Sequence, residues 1–285
     1  MKRILIPALA YLLCAVPLFF CAKAPRNMQI LTSAIHFRTM TSGHTYIPEN
    51  ASEPVSVTDS IVYQCPATGS DPITLASLQN VLSFEIFQYP RPLTPSLFPK
   101  LVKSWHALYV EEYERDMAGL NAMQEEEHYL NYARLTTTEV VYNTPRAILM
   151  QMRTDNYTGG AHGIYTVRHL SIVLDGAHTR ILTPEDLFVQ PTDSAAILNL
   201  VKGALMEAYH CTTEQQLAEQ GFDLEALYLT PYVSAEPGGV CFIYQPYEIA
   251  PYALGAPAPV VPYDKIRPLL QPGIEELFSE KPAAQ

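Results

Sequence analysis

Cysteine and tryptophan are scarce in this sequence, and their placement suggests neither a cross-linked nor a zinc-bound fold. The 285 residues include 5 cysteines and 1 tryptophan. Cys14 and Cys21 lie in the apolar start of the chain, which leaves Cys65, Cys211 and Cys241. Three thiols cannot all pair, and no Cys-x-x-Cys or close Cys/His spacing is typical of zinc. A disulfide between Cys211 and Cys241 and separate burial of all three thiols are both open alternatives.

Basic residues are also few, with 18 Lys and Arg against 29 Asp and Glu and a formal net charge of -11 at pH 7. Because phosphate binding requires clustered basic side chains, we expect no nucleic-acid partner. A basic protein partner suits this charge better. No glycine-rich loop is followed by the lysine of a phosphate-binding loop, and we expect no bound cofactor. The hydrophobic fraction of 48% is enough to build a core.

The start of the chain has the pattern of an export signal. Two basic residues precede an apolar run that ends at Phe20, and Cys21 follows it. We predict a leader over residues 1–21, lipid attachment at Cys21, and a membrane-anchored place in the periplasm or on the outer surface. Phe20 is larger than the residue usual before a lipidated cysteine, so cleavage after Ala22 or Ala24 stays open.

Hydrophobic periodicity predicts an α+β fold with two domains, in which helices pack on antiparallel sheet. The predicted domains cover residues 28–137 and 138–272, and residues 273–285 form a tail. In the first domain, Asp71 can cap a helix that carries leucines at helical spacing. A second helix is expected to bury a stripe of Leu101, Trp105 and Leu108. Two later helices are predicted, a short one that Thr183 caps with Asp186 three residues on, and a longer one over residues 193–209. The predicted strands are 28–47, 55–65, 129–141, 147–153, 164–174, 224–229, 240–244 and 259–263.

The stretch "YTGGAHGIY" lies between two predicted strands and is interpreted as a hairpin loop. Its glycines permit positive φ angles and close backbone approach, and its histidine could act as a base or bind a metal. His169 and His178 follow at successive separations of seven and nine residues, which match no zinc spacing, so we expect no metal. The candidate binding residues from this loop are Tyr157, Gly159, Gly160, His162 and Gly163.

A later stretch, "YQPYEIAPYALG", follows a predicted strand and alternates tyrosine with proline. Proline stiffens a backbone, and tyrosine offers rigid amphipathic contact area, which together favour a protein-binding loop. The alternative is that the rings pack inward and seal the sheet edge. The candidate binding residues here are Tyr247, Glu248, Pro251 and Tyr252. If both loops leave the same end of the sheet, Tyr157, His162, Tyr247 and Tyr252 converge.

Together with "LTPEDLF", which follows the first of them, the two stretches resemble the C-terminal domain family of the lysozyme-sensing anti-sigma factor RsiV, which also occurs in the peptidoglycan deacetylase PdaC and in many bacterial lipoproteins. The resemblance covers residues 147–270, and residues 28–131 resemble the small domain that usually precedes it. Only three residues precede the apolar run, and the chain ends soon after "DKIRPLL". We therefore expect neither the sigma-binding segment nor the deacetylase domain.

The expected function is that of an exported envelope lipoprotein that binds a ligand and catalyses no reaction. The resemblance implies a basic envelope protein such as lysozyme, another wall-associated protein, or peptidoglycan fragments as the partner. The competing hypothesis is a peptidoglycan hydrolase or deacetylase that uses His162 with acidic residues, for which Asp155 and Glu248 are candidates. Each carboxylate could equally cap a turn.

Overall fold

The computed structural model describes residues 35–49, 51, 54–69, 71–123 and 129–279, and the predicted leader with Cys21 lies outside these residues. The described residues form an α+β fold, as predicted. Its strands and helices are β1 Ile35–Tyr46, β2 Val57–Gly69, α1 Pro72–Phe87, α2 Phe98–Asn121, β3 Tyr132–Asn143, β4 Ala147–Tyr157, β5 Ile164–Val173, β6 Arg180–Ile181, α3 Pro184–Leu187, α4 Ser194–Ala208, α5 Glu214–Glu219, β7 Val233–Glu236, β8 Gly239–Phe242, β9 Val260–Pro262, α6 Tyr263–Ile266 and α7 Ile274–Phe278.

The strands form two sheets. The larger sheet has the order β1-β2-β3-β4-β5-β6, and the smaller sheet has the order β7-β8-β9. All neighbouring strands are antiparallel except β2 and β3, which are parallel because α1 and α2 form the crossover between them. The predicted boundary between residues 137 and 138 lies inside β3. Strands from both predicted domains therefore pair in one sheet, and the division into two domains stays a prediction.

The larger sheet is the middle layer of the molecule. Alternate side chains of β4 point to opposite faces, so Ile148 and Met150 pack with α1 and α2, whereas Ala147 and Leu149 pack with α4 and the smaller sheet. All four side chains are buried. Full burial of an Ile, Leu or Met side chain stabilises a fold by about 1.5–3 kcal/mol, so β4 joins the two halves of the core.

The first helix follows the sequence prediction and the second departs from it. The Asp71 carboxylate accepts hydrogen bonds from the backbone of residues 73 and 74, and it caps α1. The predicted buried stripe of α2 is right in part, because Leu101 and Trp105 pack against the core, but Leu108 is 61% exposed. The buried face instead carries His106 and Tyr109. Hydrophobicity missed this face because these side chains are polar at their tips and have buried partners there.

In the second half of the chain, two helices follow the sequence prediction and one predicted strand is absent. Thr183 and Asp186 form the expected capping box of α3, and α4 spans most of its predicted range. The strand predicted over residues 224–229 is wrong. These residues form an irregular segment whose leucines pack on the core, which explains their apolar pattern. Strand β7 was not predicted.

Part of the stretch predicted as a tail, residues 274–278, forms α7. Ile274 and Phe278 are buried, and the Phe278 ring lies 5.9 Å from the Tyr142 ring. The Tyr142 hydroxyl also donates to the Leu277 carbonyl at 3.2 Å. The helix therefore belongs to the core that α4 and the smaller sheet share. Within the described ranges, no helix combines the length and apolar character needed to cross a membrane.

Candidate functional site: an aromatic cluster on two loops

The first predicted loop is a hairpin connection between β4 and β5. The antiparallel pairing ends at Asn156 and Ile164, and residues 157–163 connect the two strands. Gly159 and Gly160 have φ angles of 88° and 89°, which side-chain-bearing residues rarely adopt. A Cβ atom on Gly163 would lie 2.7 Å from the Asn156 carbonyl oxygen, so this position requires glycine to close the loop.

The second loop follows β8 and is attached to β5 by one side chain. The Gln245 amide oxygen accepts from the Val167 N–H at 2.9 Å, and its amide nitrogen donates to the Val167 carbonyl at 2.8 Å. The Glu248 carboxylate accepts from the Gln245 N–H at 2.7 Å and closes the turn. Gln245 thus pairs with β5 as a strand residue would, and this pairing sets the distance between the two loops.

The two loops and the start of β5 bring four aromatic side chains together. His162, Tyr165, Tyr247 and Tyr252 are called the aromatic cluster below. The rings of His162 and Tyr252 are stacked, with centroids 4.8 Å apart and planes at 29°. The Tyr247 ring lies 5.5 Å from Tyr252 and 6.4 Å from His162, and the Tyr165 ring meets Tyr252 edge-on at 6.0 Å. The expected convergence of His162, Tyr247 and Tyr252 is therefore present in the structure.

Hydrogen bonds indicate the tautomer of neutral His162. Its Nδ1 lies 2.8 Å from the Gly163 carbonyl oxygen, which can only accept, so Nδ1 carries the proton. Its Nε2 then accepts from the Tyr247 hydroxyl at 3.2 Å. Tyr157 has a different role from the one expected, because its hydroxyl donates to the Gly160 carbonyl at 3.0 Å and braces its own loop.

An ion pair on β4, between Arg153 and Asp155, packs against the cluster. Asp155 was predicted from the sequence as a candidate, and Arg153 was not. The Arg153 guanidinium donates two hydrogen bonds to Asp155, at 2.6 and 2.8 Å, and lies 3.8 Å from the centroid of the Tyr165 ring. The hydrogen bond to Asp155 raises the pKa of Arg153. Asp155 is directly opposite Tyr165 in the strand register. Arg153 and Asp155 are two positions apart on β4, but only the cross-strand pairing brings Tyr165 to them, and spacing along the chain could not reveal that contact.

Within the cluster, the Tyr247 ring is exposed to solvent and the Tyr252 ring is half-buried. Tyr247 is 56% exposed and has a φ angle of 75°, an uncommon conformation for a residue other than glycine. Such backbone strain concentrates at functional sites. Tyr252 is half-buried, and its pKa is raised by burial and by the neighbouring Tyr165. Its hydroxyl is therefore neutral at physiological pH and remains a hydrogen-bond donor.

A second group of polar side chains has the composition of a metal site. One ligand atom each from His169, Glu236 and Cys241 lies within 4.8 Å of the others, between the two sheets. His169 Nδ1 is 2.5 Å from a Glu236 carboxylate oxygen, which is a direct hydrogen bond. Burial also raises the pKa of the Cys241 thiol well above its usual value. A zinc-like ion would have to open this hydrogen bond and remove the thiol proton from a buried position.

The described cysteines do not form disulfides. Cys65, Cys211 and Cys241 are free and buried. The Cys211 and Cys241 thiols point to different backbone carbonyls, those of Tyr209 and Ala258. Of the two alternatives, separate burial is the one that the structure has.

Residues 185–264 match the family model DUF3298, which is described as a protein of unknown function. This range includes the second loop of the aromatic cluster. A crystal structure of a DUF3298 family member from Bacteroides fragilis is similar to this chain, with a TM-score of 0.73 and 24% identity over 88% of this chain and 100% of that one. A DUF3298 family protein from Pseudomonas aeruginosa has a TM-score of 0.55 and 15% identity over 87% of this chain and 98% of that one. No curated protein matches the sequence. At these identities the two structures are similar to this chain in fold.

Proposed function

We propose that this protein is an exported bacterial envelope lipoprotein that binds an envelope ligand through the aromatic cluster and catalyses no reaction there. The observation that carries the proposal is the ring stack of His162 and Tyr252, beside which Tyr247 stands 56% exposed. Large aromatic side chains on a prearranged backbone are the usual anchors of binding surfaces.

The cluster is ordered before any ligand arrives. Gln245 attaches the second loop to β5, and the Tyr247 hydroxyl bonds His162 across the two loops. Ordering a side chain on binding costs about 0.5–1.5 kcal/mol for each flexible group. Rings that are already stacked lose little of this entropy, so a ligand gains more of the contact energy.

We infer the class of ligand from charge and from the resemblance of the two loops to the domain family of RsiV and PdaC. The chain has a net charge of -11, and the exposed side chains near the end of α2 include Glu111, Glu112 and Asp116. A basic envelope protein such as lysozyme would be attracted by this surface. Peptidoglycan fragments are the second candidate, since sugar rings pack on exposed aromatic faces.

The hydrolase or deacetylase hypothesis has less support at this site. Both ring nitrogens of His162 are engaged, one with Gly163 and one with Tyr247. Asp155 is paired with Arg153, and Glu248 closes the turn at Gln245. The proposed catalytic side chains would each have to break a local contact before acting as acid or base.

Calorimetric titration of the leaderless protein with lysozyme, and separately with peptidoglycan fragments, tests the proposal. We expect Tyr247→Ala to weaken binding by about 2 kcal/mol, or roughly thirtyfold, while the melting temperature stays within a few degrees of the wild type. Phe84→Ala is the matched control, because Phe84 is a 53% exposed aromatic residue on α1. Unchanged affinity for both ligands in a Tyr247→Ala/Tyr252→Ala double variant would refute the role of the cluster.

Localisation has its own test. We expect metabolic labelling with a fatty acid to mark the full-length protein in the membrane fraction, and Cys21→Ala to abolish the label. Cys14→Ala is the matched control within the leader. A label that persists in Cys21→Ala would show that the leader does not carry the lipid at this cysteine.

A further inference from the structure

Three side chains in the first half of the chain have the hydrogen-bond order of a nucleophilic triad. Ser42 Oγ lies 2.9 Å from His106 Nε2, and His106 Nδ1 lies 2.7 Å from Asp59 Oδ2. They come from β1, α2 and β2, respectively. We propose that Ser42, His106 and Asp59 form a catalytic site that hydrolyses carboxylic esters. The site is separate from the aromatic cluster and does not depend on the function proposed for it.

Strand register and helix packing bring the three residues together. Asp59 pairs with His44 on β1 and with Arg134 on β3, so a polar row crosses the sheet beneath α2. Ser42 is two residues from His44 on the same strand and therefore faces the same side. The polar tip of His106 reaches this row from α2. No sequence motif announces the site, because a triad is recognised by geometry rather than by chain order.

The environment of His106 selects the tautomer that a general base requires. The Asp59 carboxylate can only accept, so Nδ1 carries the proton and Nε2 accepts from the Ser42 hydroxyl. Asp59 and His106 are 1% and 5% exposed, respectively. The imidazole is also held between the rings of His44 and Trp105, with centroids at 5.7 and 5.5 Å. It therefore cannot rotate freely away from the serine.

Arg134 distinguishes this arrangement from a simple triad. Its guanidinium donates to both oxygens of Asp59, each at 2.9 Å. The pair compensates the buried carboxylate, which would otherwise be costly, and orients it toward His106. Because the positive charge of Arg134 partly compensates the negative charge of Asp59, the carboxylate stabilises a protonated His106 less strongly. We therefore expect slower turnover than in a triad whose aspartate lacks an arginine partner.

A cavity adjoins the serine and the histidine. Its volume is about 600 Å³, within the range of small-molecule sites. Ser42 and His106 both lie in its wall, and Ser42 is half-buried rather than sealed. Much of the remaining lining is apolar, including Met40, Phe98 and Val102. The cavity therefore suits an ester with a short or medium apolar acyl chain.

The reaction needs water as its only co-reactant. Ser42 Oγ attacks the ester carbonyl carbon, and its proton passes to His106 Nε2. The tetrahedral intermediate collapses, the bond to the alcohol oxygen breaks, and His106 gives its proton to the leaving alcohol. Water then attacks the acyl-serine and loses a proton to His106. Collapse of the second intermediate releases the carboxylic acid, and Ser42 regains its proton.

A purely structural network would require neither the hydrogen bond from Ser42 to His106 nor a cavity beside it. The Asp59, Arg134 and His106 contacts already satisfy the buried carboxylate without the serine. The hydroxyl instead bonds the outer nitrogen of the imidazole, at the wall of a cavity. These features place a nucleophile and its base where a small molecule can reach them.

Covalent labelling and ester hydrolysis test the proposal on the folded leaderless protein. We expect a fluorophosphonate to add once, on Ser42, and p-nitrophenyl butyrate to be hydrolysed with a kcat/KM that Ser42→Ala lowers by about 10³-fold or more. Ser60→Ala is the matched control, since Ser60 lies on β2 with its side chain on the other face from Asp59.

Peptide mapping of the wild-type protein gives a readout that does not depend on how any variant folds. Absence of the adduct from Ser42 in folded wild type would overturn the proposal. Hydrolysis that is equal in Ser42→Ala and wild type would overturn it as well. Loss of ligand binding in Tyr247→Ala reports on the aromatic cluster alone, so failure of one site is distinguishable from failure of the other.

Discussion

Gln245 offers a sharp test of how the two loops are held together. Its side-chain amide makes two hydrogen bonds with the backbone of Val167, at 2.9 and 2.8 Å. Gln245→Ala removes both bonds and leaves the Val167 N–H and carbonyl without their partner. The second loop would then lose its attachment to β5, and the stack of Tyr252 on His162 should loosen.

The magnitude follows from the number and position of these bonds. A hydrogen bond contributes about 0.5–1.5 kcal/mol net, so two of them contribute about 1–3 kcal/mol. Backbone groups left unpaired add a desolvation cost, so we expect the free energy of unfolding to fall by about 2–3 kcal/mol. For a domain of this size, that loss lowers the melting temperature by roughly 4–12 °C.

Urea unfolding and near-ultraviolet circular dichroism measure the two consequences. We expect reduced stability in Gln245→Ala and a weaker aromatic signal from the cluster. Gln245→Glu should recover part of the stability, because one oxygen can still accept from Val167 while the donor is lost. Gln215→Ala is the control, since that amide bonds Glu219 on an exposed helix. A Gln245→Ala stability within about 0.5 kcal/mol of the wild type would refute the attachment.

Three further predictions concern the core and the first loop. Phe278→Ala should lower the free energy of unfolding, measured in urea, by about 3–5 kcal/mol, whereas the exposed control Phe84→Ala should change it little. Equal losses in the two variants would contradict the packing of α7 in the core. Gly163→Ala should lower stability by about 2 kcal/mol, since a Cβ there meets the Asn156 carbonyl at 2.7 Å; a neutral result would contradict that contact. Burial raises the pKa of the Cys65 thiol from 9.0 to about 12. The contribution of the neutral thiol to stability is therefore present below about pH 9 and is lost as the pH rises toward 12. We expect the buried thiol to react slowly with a thiol reagent at neutral pH, and rapid labelling would contradict this.

The sequence by itself determined much of the local structure. Helix caps and glycine turns depend on neighbouring residues, so the cap at Asp71, the capping box at Thr183 and the hairpin loop with Gly159 were readable before any fold was known. The two aromatic loops were also visible as motifs. Their convergence was expected only on the condition that they leave the same end of the sheet.

Where polar residues are buried, the exposure of a side chain could be learned only from the tertiary structure. The face of α2 that packs on the sheet carries His106 and Tyr109, which hydrophobic periodicity did not select, whereas the selected Leu108 is exposed. The leucines of residues 224–229 have the reverse problem, since an irregular segment can bury apolar side chains as well as a strand does.

Contacts between distant segments were decided by tertiary structure alone. Ser42, Asp59 and His106 meet because β1 and β2 pair in one register and α2 crosses them, and no spacing along the chain encodes that meeting. The attachment of Gln245 to Val167 spans 78 positions and depends on how the smaller sheet packs against β5. Local rules act over a few residues, whereas both candidate sites are built from strand register and layer packing, which only the complete fold defines.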